Sequence, residues 1–370
     1  MGDKRASTED TADSRRNIIA ISGGKGGVGK SVIAANLAVL LALMEKRVVL
    51  IDMDFGSANL HTCLGVKSPA WSIKDFLLKK KDTLNEIFID TRIEQLKFIS
   101  GAGDMPGLSN MAYSQKLKII RHLKALEGDH IILDLGPGIT FNVLDFFSAA
   151  DSPVLVTTPE TTSITNTFSF IKAFLFRKLY KAFKNNSEVV SLLDLAKDPK
   201  NERGIRIFAD LESAIGKVDI EQTRKFKSIL ESCKPKFILN MIRRKDETMG
   251  HMLTSLVERC LSVKCECLGC VNYDDFMPES ILKMKPFVLE YPESDVTASL
   301  WGIASKITGT RPKNDQPACP PSEGKTEERA WREAEELLKA GGESLESKGP
   351  TRRWEMHVSS EKPRMKAKSE

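Results

Sequence analysis

Residues 21–31 read ISGGKGGVGKS, and the reading of this stretch decides the fold. It closes a short Ile-rich run, NIIAIS, and opens a helical pattern, KSVIAANLAVLLALMEK. A strand, a glycine loop and then a helix is the context that a phosphate-binding loop requires. Glycines let the backbone turn sharply, so that successive N–H groups point at one anion. The helix N-terminus adds partial positive charge. The pattern G-x-x-x-x-G-K-[ST] runs from Gly24 to Ser31. It assigns Lys30 to the β- and γ-phosphates of a nucleotide and the Ser31 hydroxyl to Mg2+. One lysine near the end is enough for such a loop; this one holds a second, Lys25.

Outward from the loop, short apolar runs alternate with helical stretches. RVVLID, LKFIS, HIILDL, SPVLVTT, KFILNM and CECLGCV follow in turn. Such alternation implies βαβ units. It predicts an α/β fold over residues 17–310, with a mostly parallel seven- to eight-stranded sheet and helices on both faces. Residues 1–16 read as a disordered leader, and 311–370 as a linker and polar tail. Within the tail, TEERAWREAEELLKAGG suggests a short acidic helix near 326–340, stopped by Gly341-Gly342. More chain than one crossover helix needs lies between the strands ending near Thr158 and starting near Lys236. Residues 181–235 are read as a mixed, partly helical insertion, a place where partner specificity is often carried.

The composition, 41% hydrophobic and 28% charged over 370 residues, is that of a soluble globular protein. No apolar run approaches the ~18 residues of a membrane span, and the N-terminus lacks the apolar core of a secretory signal. A cytoplasmic protein with reduced thiols is expected. The net charge of +5 permits anionic partners without demanding them.

Other strand ends carry polar groups at the sheet edge where open α/β sheets bind ligands. LIDMDFG places Asp52 and Asp54 there, and HIILDLGPG places Asp134, followed by Gly136 and Gly138. An Asp ending an apolar strand is the Walker B pattern, and it puts Asp134 on Mg2+ through a water. KFILNM sets Asn240 at a late strand end, where an amide can pair with both a donor and an acceptor of a purine edge.

The loop GKGGVGKS resembles the deviant Walker A loop of the MinD/ParA superfamily of ATPases. LIDMDFGSANLHTCLG, VTTPETTSITNTFSFIKAF and LKMKPFVLEYPESDVTASLWGIASKI extend the resemblance over roughly residues 17–309. They resemble the FlhG (FleN/YlxH) branch, MinD-like ATPases that control flagellar number and placement. The resemblance implies that two monomers sandwich two nucleotides and that Lys25 reaches the partner's phosphates, as an arginine finger does. It implies that Asp54 orients the attacking water while Asp52 supports the Mg2+ shell. Gly136 and Gly138 would form the loop that senses the γ-phosphate, and Asn240 would recognise the base. CLGCVNYDDF resembles the family's base-flanking loop, with Asn272 in place of the usual proline. The implied nucleotide site is therefore Gly24, Lys25, Gly26, Gly27, Val28, Gly29, Lys30, Ser31, Val32, Gly136, Asn240 and Asn272. Ser31, Asp54 and Asp134 serve the metal, and Lys25, Lys30 and Asp54 the catalysis. The cofactors implied are ATP and Mg2+.

The expected activity is slow ATP hydrolysis by an ATP-dependent homodimer, stimulated by a protein partner and used to position a cellular structure. Membrane contact at the inner face of the cell membrane has two candidate segments. One is FSFIKAFLFRKLYKAFKNN, which interleaves Phe168, Phe170, Phe174, Phe176, Tyr180 and Phe183 with bases; core packing against the insertion is its other reading. The other is the basic terminus TRRWEMHVSSEKPRMKAKSE. Two alternatives share the loop. A ParA-like partition ATPase would bind DNA through NMIRRKDE (Arg243, Arg244, Lys245). An Mrp-type iron–sulfur carrier would need cysteines just after Asn240; here Cys265, Cys267 and Cys270 lie later, and buried thiols filling the sheet are the favoured reading.

Overall fold

The computed structural model describes residues 16–56, 58–101, 111–198, 200–243 and 249–310. The leader, the tail with its expected helix near 326–340, and Arg244 and Lys245 lie outside these residues. Among these residues there are eight strands: β1 (Asn17–Ser22), β2 (Val48–Met53), β3 (Ile89–Asp90), β4 (Leu96–Ile99), β5 (His130–Leu135), β6 (Ser152–Thr157), β7 (Lys236–Ile242) and β8 (Glu266–Asn272). They form one sheet in the order β3-β4-β2-β5-β1-β6-β7-β8. All neighbours pair in parallel except β3 and β4. The expected α/β sheet is thus found, with the two-residue β3 added at one edge.

Helices cover both faces. The first ones in the chain are α1 (Lys30–Leu43), α2 (Leu60–Cys63), α3 (Ile73–Leu77), α4 (Tyr113–Leu123), α5 (Phe141–Ala149) and α6 (Thr161–Phe183). They are followed by α7 (Ser187–Leu195), α8 (Phe208–Gly216), α9 (Ile220–Ser232), α10 (Met249–Leu261), α11 (Met277–Leu282), α12 (Phe287–Glu290) and α13 (Asp295–Thr308). The sequence of α1, KSVIAANLAVLLAL, is apolar nearly all round because the helix lies between the sheet and α12–α13. The opposite face carries α4, α5, α6 and α10 on a second apolar core.

The segment between α6 and β7 is helical throughout its ordered elements, α7 to α9, with no strand among its described residues. These helices decide the fate of the aromatic stripe on α6. Phe168, Phe170, Phe174, Phe176 and Phe183 are all buried. Phe176 meets Phe208 of α8 edge-on at 5.3 Å, and Phe208 faces Phe226 of α9 at 6.1 Å. The Tyr180 hydroxyl donates to Asp194 of α7. The alternative of a membrane face here is corrected: a second layer of helices needs an apolar seam on the outer side of α6, and these rings supply it.

The cysteines of β8 also pack. The register slips, so that Phe237 pairs with Cys267 but Ile238 with Gly269. This bulge turns Cys270 to the same core as Cys267, where strict alternation would oppose them. Cys265 is buried, and burial pushes its thiol up to about 12.

Candidate functional site

The loop between β1 and α1 sits at the C-terminal edge of the sheet, between β5 and β6. Gly29 precedes α1 with φ 86°, a left-handed conformation that glycine alone adopts without strain. A Cβ there would lie 2.3 Å from Asn240 Nδ2. That close approach is how β7 braces the loop: Asn240 Nδ2 donates to the Val28 carbonyl at 2.9 Å. Val28 is buried beneath the loop, and Val32 packs partly buried in the first turn of α1. Gly26 and Gly27 stand clear of other atoms.

The acids arrive from two neighbouring strands. Asp52 on β2 and Asp134 on β5 are register partners, so their carboxylates lie side by side. Asp52 accepts from the backbone N–H of Asp54 and of Leu60, each at 3.1 Å. Burial and the adjacent Asp134 nevertheless push it up to about 7. Burial pushes Asp134 up to about 6, against the opposing pull of Lys30 and of its hydrogen bond with Ser31. Lys30 Nζ donates to Asp54 Oδ2 at 3.1 Å, and both side chains are nearly enclosed. Gly136 allows this: a Cβ there would meet Asp54 Oδ1 at 3.3 Å. The Gly136–Gly138 loop is tied to β1, since Ser22 Oγ donates to the Gly136 carbonyl at 3.1 Å and Gly138 N–H to Gly23 O at 3.0 Å.

Asp134 Oδ1 is buried with no hydrogen-bond partner. Buried polar atoms are almost always satisfied, so an orphaned carboxylate oxygen at this sheet edge suits a cation. No cage of three or more His, Cys, Asp or Glu occurs among the described residues. Mg2+ is usually held by one or two carboxylates with waters and phosphate oxygens, and Asp134 offers one such carboxylate.

Lys25 behaves differently from Lys30. It lies at the surface, and its ammonium donates to Glu160 Oε2, just before α6, and to Thr162 Oγ1 at 3.3 Å. Neither partner was singled out from the sequence. The available signal was position: Glu160 lies three residues past β6, at the N-cap position of the crossover helix. Asn272 is exposed at the end of β8, one strand beyond Asn240, and Tyr273 after it stacks under Arg243 at 4.8 Å. The structure therefore gathers the backbone of the loop, Lys30, Asp52, Asp54, Asp134, Gly136 and Asn240 together, and leaves the Lys25 side chain and Asn272 at the margin.

A family model described as an AAA domain matches residues 16–188. An uncharacterised ATP-binding protein of Methanocaldococcus jannaschii is 34% identical over 79% of this chain and 88% of its own length. The flagellum site-determining protein YlxH of Helicobacter pylori is 34% identical over 55% of this chain and 66% of its own. Among solved structures, the septum site-determining protein MinD of Pyrococcus horikoshii, complexed with Mg-ADP, shares the fold. It superposes with a TM-score of 0.53 at 22% identity, over 79% of this chain and 96% of that one. No helix among the described residues is long and apolar enough to cross a membrane. By its loop, its sheet and these relatives, the chain belongs to the MinD/ParA family of P-loop ATPases, and within it to the side of the FlhG (FleN/YlxH) branch.

Proposed function

We propose that this chain is a nucleotide-operated switch: it dimerises with ATP, hydrolyses it slowly to ADP and phosphate, and is released from its target by that hydrolysis. A flagellum or another polar or membrane-associated assembly is the structure it would position, with a protein partner accelerating turnover. The observation that carries the reading is the contrast between the two lysines. Lys30 is enclosed against Asp54, whereas Lys25 is held outward by Glu160 and Thr162. A lysine that serves its own site has no need of that outward station; one that serves a second copy does.

The remaining roles follow from placement. The loop N–H groups from Gly24 to Ser31 would cradle the phosphates, with Asn240 and Asn272 toward the base. Ser31 and Asp134 would hold Mg2+, with Asp54 near its shell; the ion would neutralise charge on the nucleotide's phosphates. Lys30 exchanges Asp54 for the γ-phosphate when ATP enters. Asp54 is then free to accept a hydrogen bond from the attacking water and orient it for in-line attack. Water adds to the γ-phosphorus as the bond to the β,γ-bridging oxygen breaks; ADP leaves with that bond's electron pair, and the water's proton is released with the inorganic phosphate.

Light scattering with ADP, with Mg-ATP, and in Asp54→Ala and Lys25→Ala forms tests this. An ATP-dependent dimer, trapped by Asp54→Ala and lost in Lys25→Ala, is expected. A monomer that hydrolyses ATP under every condition would falsify the trans role of Lys25.

A further inference from the structure

The α3 corner, beside the C-terminal end of β4, carries a charge pattern that the nucleotide site does not use. Residues 67–81, KSPAWSIKDFLLKKK, hold five lysines and a single acid. That acid, Asp75, is already committed: it closes the capping box with Ser72 and binds Lys80 Nζ at 3.0 Å. Lys67, Lys74, Lys79 and Lys81 form no ion pair among the described residues. Asp82 directly follows Lys81 and is exposed, and Glu86 beyond it is occupied in capping Thr83.

Two apolar side chains stand among these cations. Trp71 is 39% exposed and Leu78 47% exposed. The chain folds back after α3, so that Lys81 Nζ lies 4.6 Å from the Trp71 ring. The corner is built on a firm base. Ile73 and Phe76 on the other side of α3 are buried, Ser72 bridges to Ser100 just past β4, and Lys118 Nζ donates to the Phe76 carbonyl. The exposed set is therefore held outward while α3 is anchored inward.

We propose that this corner is a contact surface for an anionic lipid bilayer, with Trp71 and Leu78 entering the headgroup boundary and Lys67, Lys74, Lys79 and Lys81 meeting lipid phosphates. Charge complementarity fixes the sign of the partner. The apolar pair favours a bilayer over nucleic acid, because a phosphate backbone gives no return for an exposed Leu, whereas a tryptophan flanked by lysines suits a lipid interface. β4 lies three strand positions from β1, about 14 Å at ordinary strand spacing, so the corner is lateral to Lys25 and remains clear of a contact made there. This proposal rests on the ATP-dependent dimer for its regulation. One corner binds weakly; two on one dimer bind by avidity, which makes membrane residence follow the nucleotide.

The test is vesicle co-sedimentation of the full chain with phosphatidylglycerol/phosphatidylcholine vesicles and with phosphatidylcholine alone, with ADP and with Mg-ATP, beside light scattering of the same samples. Binding to the anionic vesicles only, stronger with ATP, is expected. The triple variant Lys67→Gln/Lys79→Gln/Lys81→Gln should weaken it roughly a hundredfold, about fivefold per lysine. Trp71→Ser/Leu78→Ser should weaken it at any salt concentration. Quenching of tryptophan fluorescence by brominated acyl chains should disappear in Trp71→Phe. Unchanged vesicle binding by the triple variant overturns the proposal, as does the absence of vesicle binding in a chain that does dimerise. Loss of duplex-DNA binding in the triple variant, with no vesicle binding by the parent, would overturn it in favour of nucleic acid. Vesicle binding that depends on the corner in a chain that stays monomeric would uphold the surface and refute the dimer instead.

Discussion

Asp134→Asn should make the nucleotide-free protein more stable while removing its response to Mg-nucleotide. Burial holds this carboxyl at about 6, against an ordinary 3.8. A raised acid favours the folded state in its protonated form, so its contribution is complete below pH ~4 and is lost as pH climbs through about 6. At pH 8 the difference of roughly two pKa units corresponds to about 3 kcal/mol, and at pH 5 to about half of that. The amide has nearly the same shape and never ionises, so the variant escapes the loss. Urea unfolding followed by circular dichroism should therefore show the variant ahead by up to about 3 kcal/mol at pH 8 and by clearly less at pH 5. With Mg-ADP at a hundredfold excess over its dissociation constant, the parent should gain about 2.7 kcal/mol and the variant little. A variant less stable than the parent at pH 8, or one whose gain is the same at both pH values, would refute the reasoning that Asp134 is a carboxylate kept in strain for a cation.

Gly24→Ala should cost stability at the upper end of the usual ~1–3 kcal/mol for overpacking, because its Cβ would sit 2.5 Å from the Asn166 backbone. Gly26→Ala meets nothing within 4 Å and should leave thermal unfolding unchanged, which differential scanning calorimetry can check side by side. Asp145→Ala strips the carboxylate that binds Lys116 and, bidentately, Arg177, leaving a buried lysine unpaired; a loss of about 3–5 kcal/mol at pH 7 is expected. Burial opposes the charge on Asp145, but Arg177 and Lys116 outweigh it and hold the carboxyl below its ordinary range. The parent's advantage should accordingly shrink only as pH falls below ~4, visible as converging urea midpoints. Phe176→Glu places a charge in the seam against Phe208 and should unfold or severely destabilise the protein. A normal melting temperature for that variant would restore the exposed-stripe reading of α6.

The parts of the fold that were legible in the sequence are those in which local pattern and global position agree. β1, β2, β5, β6 and β7 are short apolar runs because central parallel strands are buried on both faces, and each was read from that property alone. β3 was not read, because two residues at an edge carry no periodicity; only the tertiary pairing of Ile89 with Phe98 makes them a strand. The α6 stripe was ambiguous for a related reason. Aromatic and basic residues at helical spacing suit a lipid face and a two-layered helical core equally, and the choice is made by α7–α9, whose own pattern points inward. The β8 cysteines show the opposite limit: alternation predicts two faces, and a bulge between Cys267 and Gly269 puts Cys270 with Cys267.

The site follows the same division. Asp52, Asp54, Asp134 and the loop are fixed by strand ends, and strand ends are local. The placing of Lys25 is not, because its partners Glu160 and Thr162 lie 135 and 137 residues away. Electrostatics then gives that placing its meaning. Three carboxylates stand in the site with Lys30 as the enclosed ammonium, and two of the three are already pushed upward, Asp52 by burial and by Asp134, and Asp134 by burial. A nucleoside triphosphate brings several more negative charges to the same edge. In the proposed switch, loop N–H groups and one divalent cation would offset part of this, and the outward lysine would serve the remainder. Lys25 belongs to the loop itself, and its ion pair with Glu160 is solvent-exposed and therefore weak, so a stronger anion on a facing surface can take it at small cost. A second copy of the same loop, loaded with ATP, presents such an anion, and a monomer holding ADP does not.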